Sequence, residues 1–119
     1  MATTGPTTPL GHIAETRRSV FRQAAGFVGK VRPAVVVQAD KYNDGAPSVT
    51  VCLLTSHLVD SRLRVRIDPA IENGLEKPSH VMIDKVMSLP LDRLDNRIGA
   101  VTAPQLEAIS ASLRDWLDL

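Results

Sequence analysis

Only one stretch of this 119-residue chain carries strong helical periodicity, and it comes last. Thr102-Ala-Pro-Gln105 joins an N-cap residue, a proline in the first turn and a glutamine three positions after the cap, the pattern of a capping box. Leu106, Ile109, Leu113, Trp116 and Leu117 then recur at helical spacing as one apolar stripe. The pattern predicts a helix over about residues 103–117 with that stripe, Trp116 included, in the core. What precedes it reads as short strands with no strand–helix alternation, which argues against a parallel α/β domain. The expected fold is mainly β with a C-terminal helix: a small, mostly antiparallel, strongly curved sheet or partial barrel that the helix closes at one end.

The strand signals differ in kind. Pro33-Ala-Val-Val-Val-Gln38 is a β-branched run, and Asp40-Lys-Tyr-Asn-Asp-Gly45 has turn-forming order. Ser48-Val-Thr-Val-Cys-Leu-Leu-Thr-Ser56 is apolar for most of its length, as in a strand covered on both faces. Arg62-Leu-Arg-Val-Arg-Ile67 alternates perfectly, so a strand there puts Leu63, Val65 and Ile67 on one face and a ladder of arginines on the other. His80 to Leu89 reads as a further strand, Leu89 to Leu94 as one helical turn, and Arg97 to Val101 as a last brief strand. Toward the N-terminus, Arg17 to Ala25 reads either as a short helix or as an irregular first strand, and Gly26 and Gly29 mark a loop. Residues 1–9, rich in Thr, Pro and Gly, read as a flexible leader before a single domain at 10–119.

Composition removes several function classes. Apolar residues at 44% and charged ones at 23% describe a packed globular chain and argue against wholesale disorder. Cys52 is the sole cysteine, which excludes an intrachain disulfide framework and a cysteine zinc cluster and suits a reducing cytoplasm. His12, His57 and His80 are too scattered for a local metal motif, so no metal or cofactor is expected. No apolar run approaches the roughly 18–20 residues of a membrane span, and the first residues lack the basic and apolar regions of a signal peptide. The net charge of +1 hides a polarised chain: residues 1–66 hold nine basic and four acidic side chains, residues 67–119 five and nine.

No phosphate-cradling glycine motif, serine-hydrolase elbow or paired-histidine zinc motif is present. What remains is an ordered set of short segments: Arg32-Pro-Ala-Val-Val-Val, a strand closing on Leu53-Leu-Thr-Ser56, Met82-Ile-Asp-Lys-Val-Met-Ser-Leu89, then Arg97-Ile-Gly before the capped helix. In that order the set resembles the MazF/PemK family of bacterial toxins, over about residues 29–119. The resemblance implies the SH3-like partial barrel of the CcdB/MazF/PemK plasmid-maintenance toxins, in a homodimer. It also implies a ribosome-independent, metal-free, sequence-selective endoribonuclease (an mRNA interferase) that cleaves single-stranded RNA and is neutralised by a cognate MazE/PemI-like antitoxin. Related CcdB-type barrels instead poison gyrase. The alternative reading is therefore a catalytically weak barrel that acts by binding, as an antitoxin decoy or a gyrase poison.

By the family pattern Arg32 and Thr55 are the catalytic pair, with Ser56 beside them. The chemistry agrees: attack of a 2′-hydroxyl on the adjacent phosphate needs charge stabilisation and proton transfer. A guanidinium supplies a planar fork matched to phosphate but is a poor base. His57 shares a face with Thr55 in an extended segment, and histidine changes charge near neutral pH, so it is the candidate acid or base; a solvated loop histidine is the rival reading. Asp84 matches the family's acidic position, its rival being a strand aspartate bonded to backbone. Many members carry Gln at the next position, where this chain has Lys85, a further phosphate contact. Lys30, in the loop expected to gate the RNA groove, and the ladder of Arg62, Arg64 and Arg66 complete the candidate RNA-binding set. A solvated face or a surface for an acidic antitoxin tail are the ladder's rivals. The family's usual first-strand opening is missing, so either that strand is displaced to about residues 19–24 or the stretch is remodelled.

Overall fold

The computed structural model describes residues 17–25 and 31–119, so the leader, the glycine loop and Lys30 lie outside the described residues. Six strands, Ser19–Ala25 (β1), Val31–Val36 (β2), Ser48–Thr55 (β3), Arg64–Ile67 (β4), Ser79–Pro90 (β5) and Leu94–Ala100 (β6), precede one helix, Ala103–Leu117 (α1). Short 3₁₀ turns at Asp40–Tyr42 and Leu91–Arg93 fall at two turns that the sequence predicts. All pairings are antiparallel within one sheet of order β4-β5-β3-β2-β1-β6. The sheet curls until the chain beyond β4 meets the free edge of β6, where the Ala100 N–H donates to the Glu72 carbonyl at 2.8 Å. This is the partial barrel that the segment order predicts.

Strand alternation sorts the apolar residues into two clusters. Val20, Val35, Cys52, Leu54, Ile67, Val81 and Ile83 fill the inside of the curl together with Ile109 of the helix. Phe21, Ala34, Val36, Val49, Val51 and Leu89 form a second cluster from the opposite strand faces, so β3 is buried on both sides as its apolar run predicts. The helix begins as its sequence dictates: the Thr102 hydroxyl accepts from the Gln105 N–H at 3.2 Å and the Gln105 side chain accepts from the Thr102 N–H at 2.8 Å.

Two expectations are corrected. Arg62 does not belong to the strand ladder: the Ser61 hydroxyl accepts from the Leu63 N–H and the Ser61 carbonyl from the Arg64 N–H, a turn that delays β4 until Arg64. Arg62 instead meets Asp115 of the helix at 3.1 Å. Trp116 and Leu117 are not core, being 47% and 50% exposed, because Leu106, Ile109 and Leu113 alone reach the inner cluster and the last turn of α1 runs past it.

Candidate active site

Pro33 sets the geometry of the site. It has no N–H to give a ladder, and sheets accommodate such a residue at a bulge or an edge. Accordingly β1 bulges opposite it, its pairing jumping from Phe21↔Ala34 to Ala24↔Arg32, and the ladder between β2 and β3 stops at Ala34↔Leu53. Continuing that last register sets Arg32 across from Thr55, which pairs on its other side with His80, which in turn pairs with Arg66. Residues paired across a sheet project to one face, so one rung carries Thr55, His80 and Arg66, and the projected register adds Arg32 at its end.

A second irregularity lies in β5. Cys52 pairs with Val86 but Leu54 with Val81, so the stretch from Met82 to Lys85 faces Leu53 alone. The bulge turns Met82 and Lys85 into a cavity of about 800 Å³ at this end of the sheet. Arg32, Thr55, Ser56, His57, Arg64 and Lys85, six of the residues singled out from the sequence, line it together. Arg62, Arg66 and Asp84 do not: Arg66 is paired with Asp68 at 2.9 Å, and Asp84 keeps a buried Oδ1 with no hydrogen-bond partner among the described residues.

The cavity also holds three charged residues that the sequence reading passes over, Arg22, Glu76 and Lys77. Arg22 arrives through the β1 bulge. Glu76 and Lys77 sit on a loop fixed by buried Asn73, whose Oδ1 accepts from the Ala70 and Leu75 N–H groups at 3.1 and 2.9 Å. Arg22 and Glu76 meet at 3.4 Å. Arg32, Arg64, Lys77 and Lys85 have no acidic partner among the described residues, so the cavity is strongly cationic although the chain is nearly neutral. A solvent-reachable cationic pocket with hydroxyl donors at its wall is built for an anion.

The loop leaving β3 folds back over the rung. The Thr55 oxygen, buried in the wall, accepts from the His57 N–H at 3.1 Å, which leaves the hydroxyl's own proton free to donate. Nδ1 of His80 accepts from the Val59 N–H at 3.4 Å. Desolvation, then the charges of Arg64 and Arg66, hold His80 below its ordinary pKa, in the neutral form that can accept this bond. The folded state thus takes up a proton less readily than the unfolded chain, and this contribution to stability is present above about pH 6.5 and lost as pH falls through the depressed folded value. Wild type is expected to lose more thermal stability than His80→Asn on going from about pH 7.5 to about 5.5, since an amide oxygen accepts without titrating. Equal losses in the two melting series would refute this role. Cys52 offers no chemistry, because burial pushes its thiol up to about 12.

A family model for "PemK-like, MazF-like toxin of type II toxin-antitoxin system" matches residues 19–117. The chain is 33% identical over 106 residues to a protein of Mycolicibacterium smegmatis named "Probable endoribonuclease MazF", which covers 87% of this chain and 96% of that protein. It is 28% identical over 90 residues to "Endoribonuclease MazF3" of Mycobacterium tuberculosis, covering 76% of this chain and 85% of the other. Among solved structures, that of the Mycobacterium tuberculosis toxin MazF-mt6 superposes with a TM-score of 0.73 at 26% identity and covers 86% of this chain and 98% of that one.

Proposed function

Because the chain belongs to the PemK-like, MazF-like toxin family of type II toxin–antitoxin systems, we propose that it is an endoribonuclease toxin that cuts single-stranded RNA at a selected sequence in the cytoplasm. The observation that carries this reading is a cationic cavity that gathers Arg32, Thr55, Ser56 and His57. The 2′-oxygen attacks phosphorus, the bond to the 5′-oxygen breaks, and the products are a 2′,3′-cyclic phosphate and a 5′-hydroxyl. Arg32 holds the non-bridging oxygens through its planar fork, and the Thr55 and Ser56 hydroxyls add donors as charge builds there. His57 handles the proton that leaves the 2′-hydroxyl and the one that the 5′-oxygen gains. Arg64, Lys77 and Lys85 take flanking phosphates. Arg62 and Arg66 reach RNA only by giving up Asp115 and Asp68.

The same cations suit the acidic segment of an antitoxin, which then inhibits by occupying the RNA groove of a toxin homodimer. Incubation of the purified protein with a long unstructured RNA in EDTA should release discrete fragments with 2′,3′-cyclic phosphate ends. Intact RNA beside tight antitoxin binding would overturn catalysis in favour of a barrel that acts by binding alone. A second expectation concerns salt. Affinity for single strands falls with a log–log slope of roughly −0.7 per phosphate neutralised. Engagement of the four cations without an acidic partner among the described residues therefore costs about 50-fold in affinity between about 50 and about 200 mM salt. A flat salt response of RNA affinity would contradict phosphate binding in the cavity.

A further inference from the structure

We propose that Glu76 is a specificity-determining residue: it reads the Watson–Crick edge of one RNA base and selects a base with an exocyclic amino group over uracil. This role rests on the endoribonuclease function proposed above. Glu76 is the one carboxylate among the described residues that line the cavity, beside Arg22, Arg32, Arg64, Lys77 and Lys85. In a pocket for phosphate a carboxylate is a liability, since like charges at close range repel. Its position is nonetheless fixed. The loop that carries it is pinned from within by Asn73, whose Nδ2 donates to the Asp68 carbonyl at 2.9 Å. Gly74 and Gly99 let the loop press against β6, with no room for a Cβ between Gly74 and the Ile98 carbonyl or between Gly99 and the Glu72 carbonyl.

The carboxylate also keeps one oxygen open. Arg22 donates to Oε2 at 3.4 Å, while Oε1 has no protein partner among the described residues and the side chain is 78% exposed. An ionised carboxylate is an acceptor only. Adenine, cytosine and guanine each offer an amino group on the Watson–Crick edge, the edge that single-stranded RNA leaves open to side chains. Uracil offers there only an N3–H set between two carbonyl oxygens, so an oxygen that accepts from it is repelled by both flanking acceptors, whereas an amino group at the end of the edge meets Oε1 with at most one acceptor beside it. The surrounding cations hold the backbone and carry no base information, so the acceptor at the cavity wall supplies the discrimination.

The test is cleavage of RNA pools randomised at one position at a time, by wild type and by the near-isosteric Glu76→Gln. Wild type should disfavour uracil at one position by about tenfold or more, and Glu76→Gln, whose amide can also donate to a carbonyl, should bring that ratio to within about threefold of unity. Wild type indifferent to uracil at every position, or Glu76→Gln with undiminished selectivity, would overturn the assignment. Affinity for non-cleavable 2′-O-methyl copies of the same RNAs reads the same ratio without chemistry, so it decides the question even where the variant cuts slowly. A wild type that binds selectively through Glu76 but cuts nothing would sink the endoribonuclease function and leave base selection standing.

Discussion

Arg32→Ala is expected to slow RNA cleavage by about 10²–10³-fold, the loss that follows removal of one preorganised donor to charge developing in a transition state. Arg32 is suited to that part because the fold asks nothing else of it. Its side chain forms no hydrogen bond or ion pair with the described residues, it is half-buried, and continuing the β2–β3 register sets it across from Thr55, beyond the point where that ladder stops. Thermal stability of the variant should therefore stay close to wild type, which separates lost chemistry from lost folding. Arg32→Lys keeps the charge without the fork and should fall between the two. The readout is a single-turnover rate on a short RNA with one cleavage site. Arg32→Ala that cut at the wild-type rate would remove this residue from the reaction.

Gly74→Ala is expected to destabilise the fold by about 3 kcal/mol or more, and to lower the melting temperature by roughly ten degrees. Two costs coincide there. Gly74 has φ +70, a conformation that costs an L-residue about 1–2 kcal/mol, and a Cβ at that position collides with the backbone carbonyl of Ile98. Neither side can withdraw freely, since Ala100 is bonded to Glu72 and Asn73 is buried within the loop. Gly45 makes the comparison clean: it has φ +73, with open space where a Cβ would go. Gly45→Ala should cost only the conformational part, about 1 kcal/mol. Equal melting temperatures for the two variants would show that the contact between the loop and β6 does not hold the cavity wall in place.

The parts of the fold legible from sequence are those governed by local rules. The capping box at Thr102 and the apolar spacing that follows it give the helix its observed limits, and the double-sided apolar run gives β3 its place between two clusters. Where one local signal competed with another, the pattern alone misled. Perfect alternation from Arg62 onward reads as strand, but Ser61 starts a turn whose hydrogen bonds claim Arg62 first. Trp116 continues the helical stripe, but a stripe records which face is apolar and not how far the sheet beneath it extends.

The site divides along the same line. Arg32, Thr55 and Ser56 lie at or beside the ends of β2 and β3, which are adjacent strands, and they line one cavity. Arg22 enters through a bulge forced by proline on the neighbouring strand, and Glu76 through a loop pressed on β6 by two glycines distant in sequence. No local pattern announces either. The proline in β2 and the positive-φ glycine after Asn73 were the available signals, and each needs the partner strand before it can be interpreted. The halves of opposite charge are reconciled in the same way, because Lys77 and Lys85 of the acidic half turn into the cavity beside Arg32 and Arg64.

Whether the cavity around Arg32 cuts RNA at a selected sequence is measured most directly by a map of new 5′-hydroxyl ends in total RNA after brief expression. Wild type should produce ends that share one short motif, and Arg32→Ala, at equal protein level, should produce none above background. The same ends in both cultures, or no new ends in either, would contradict the account.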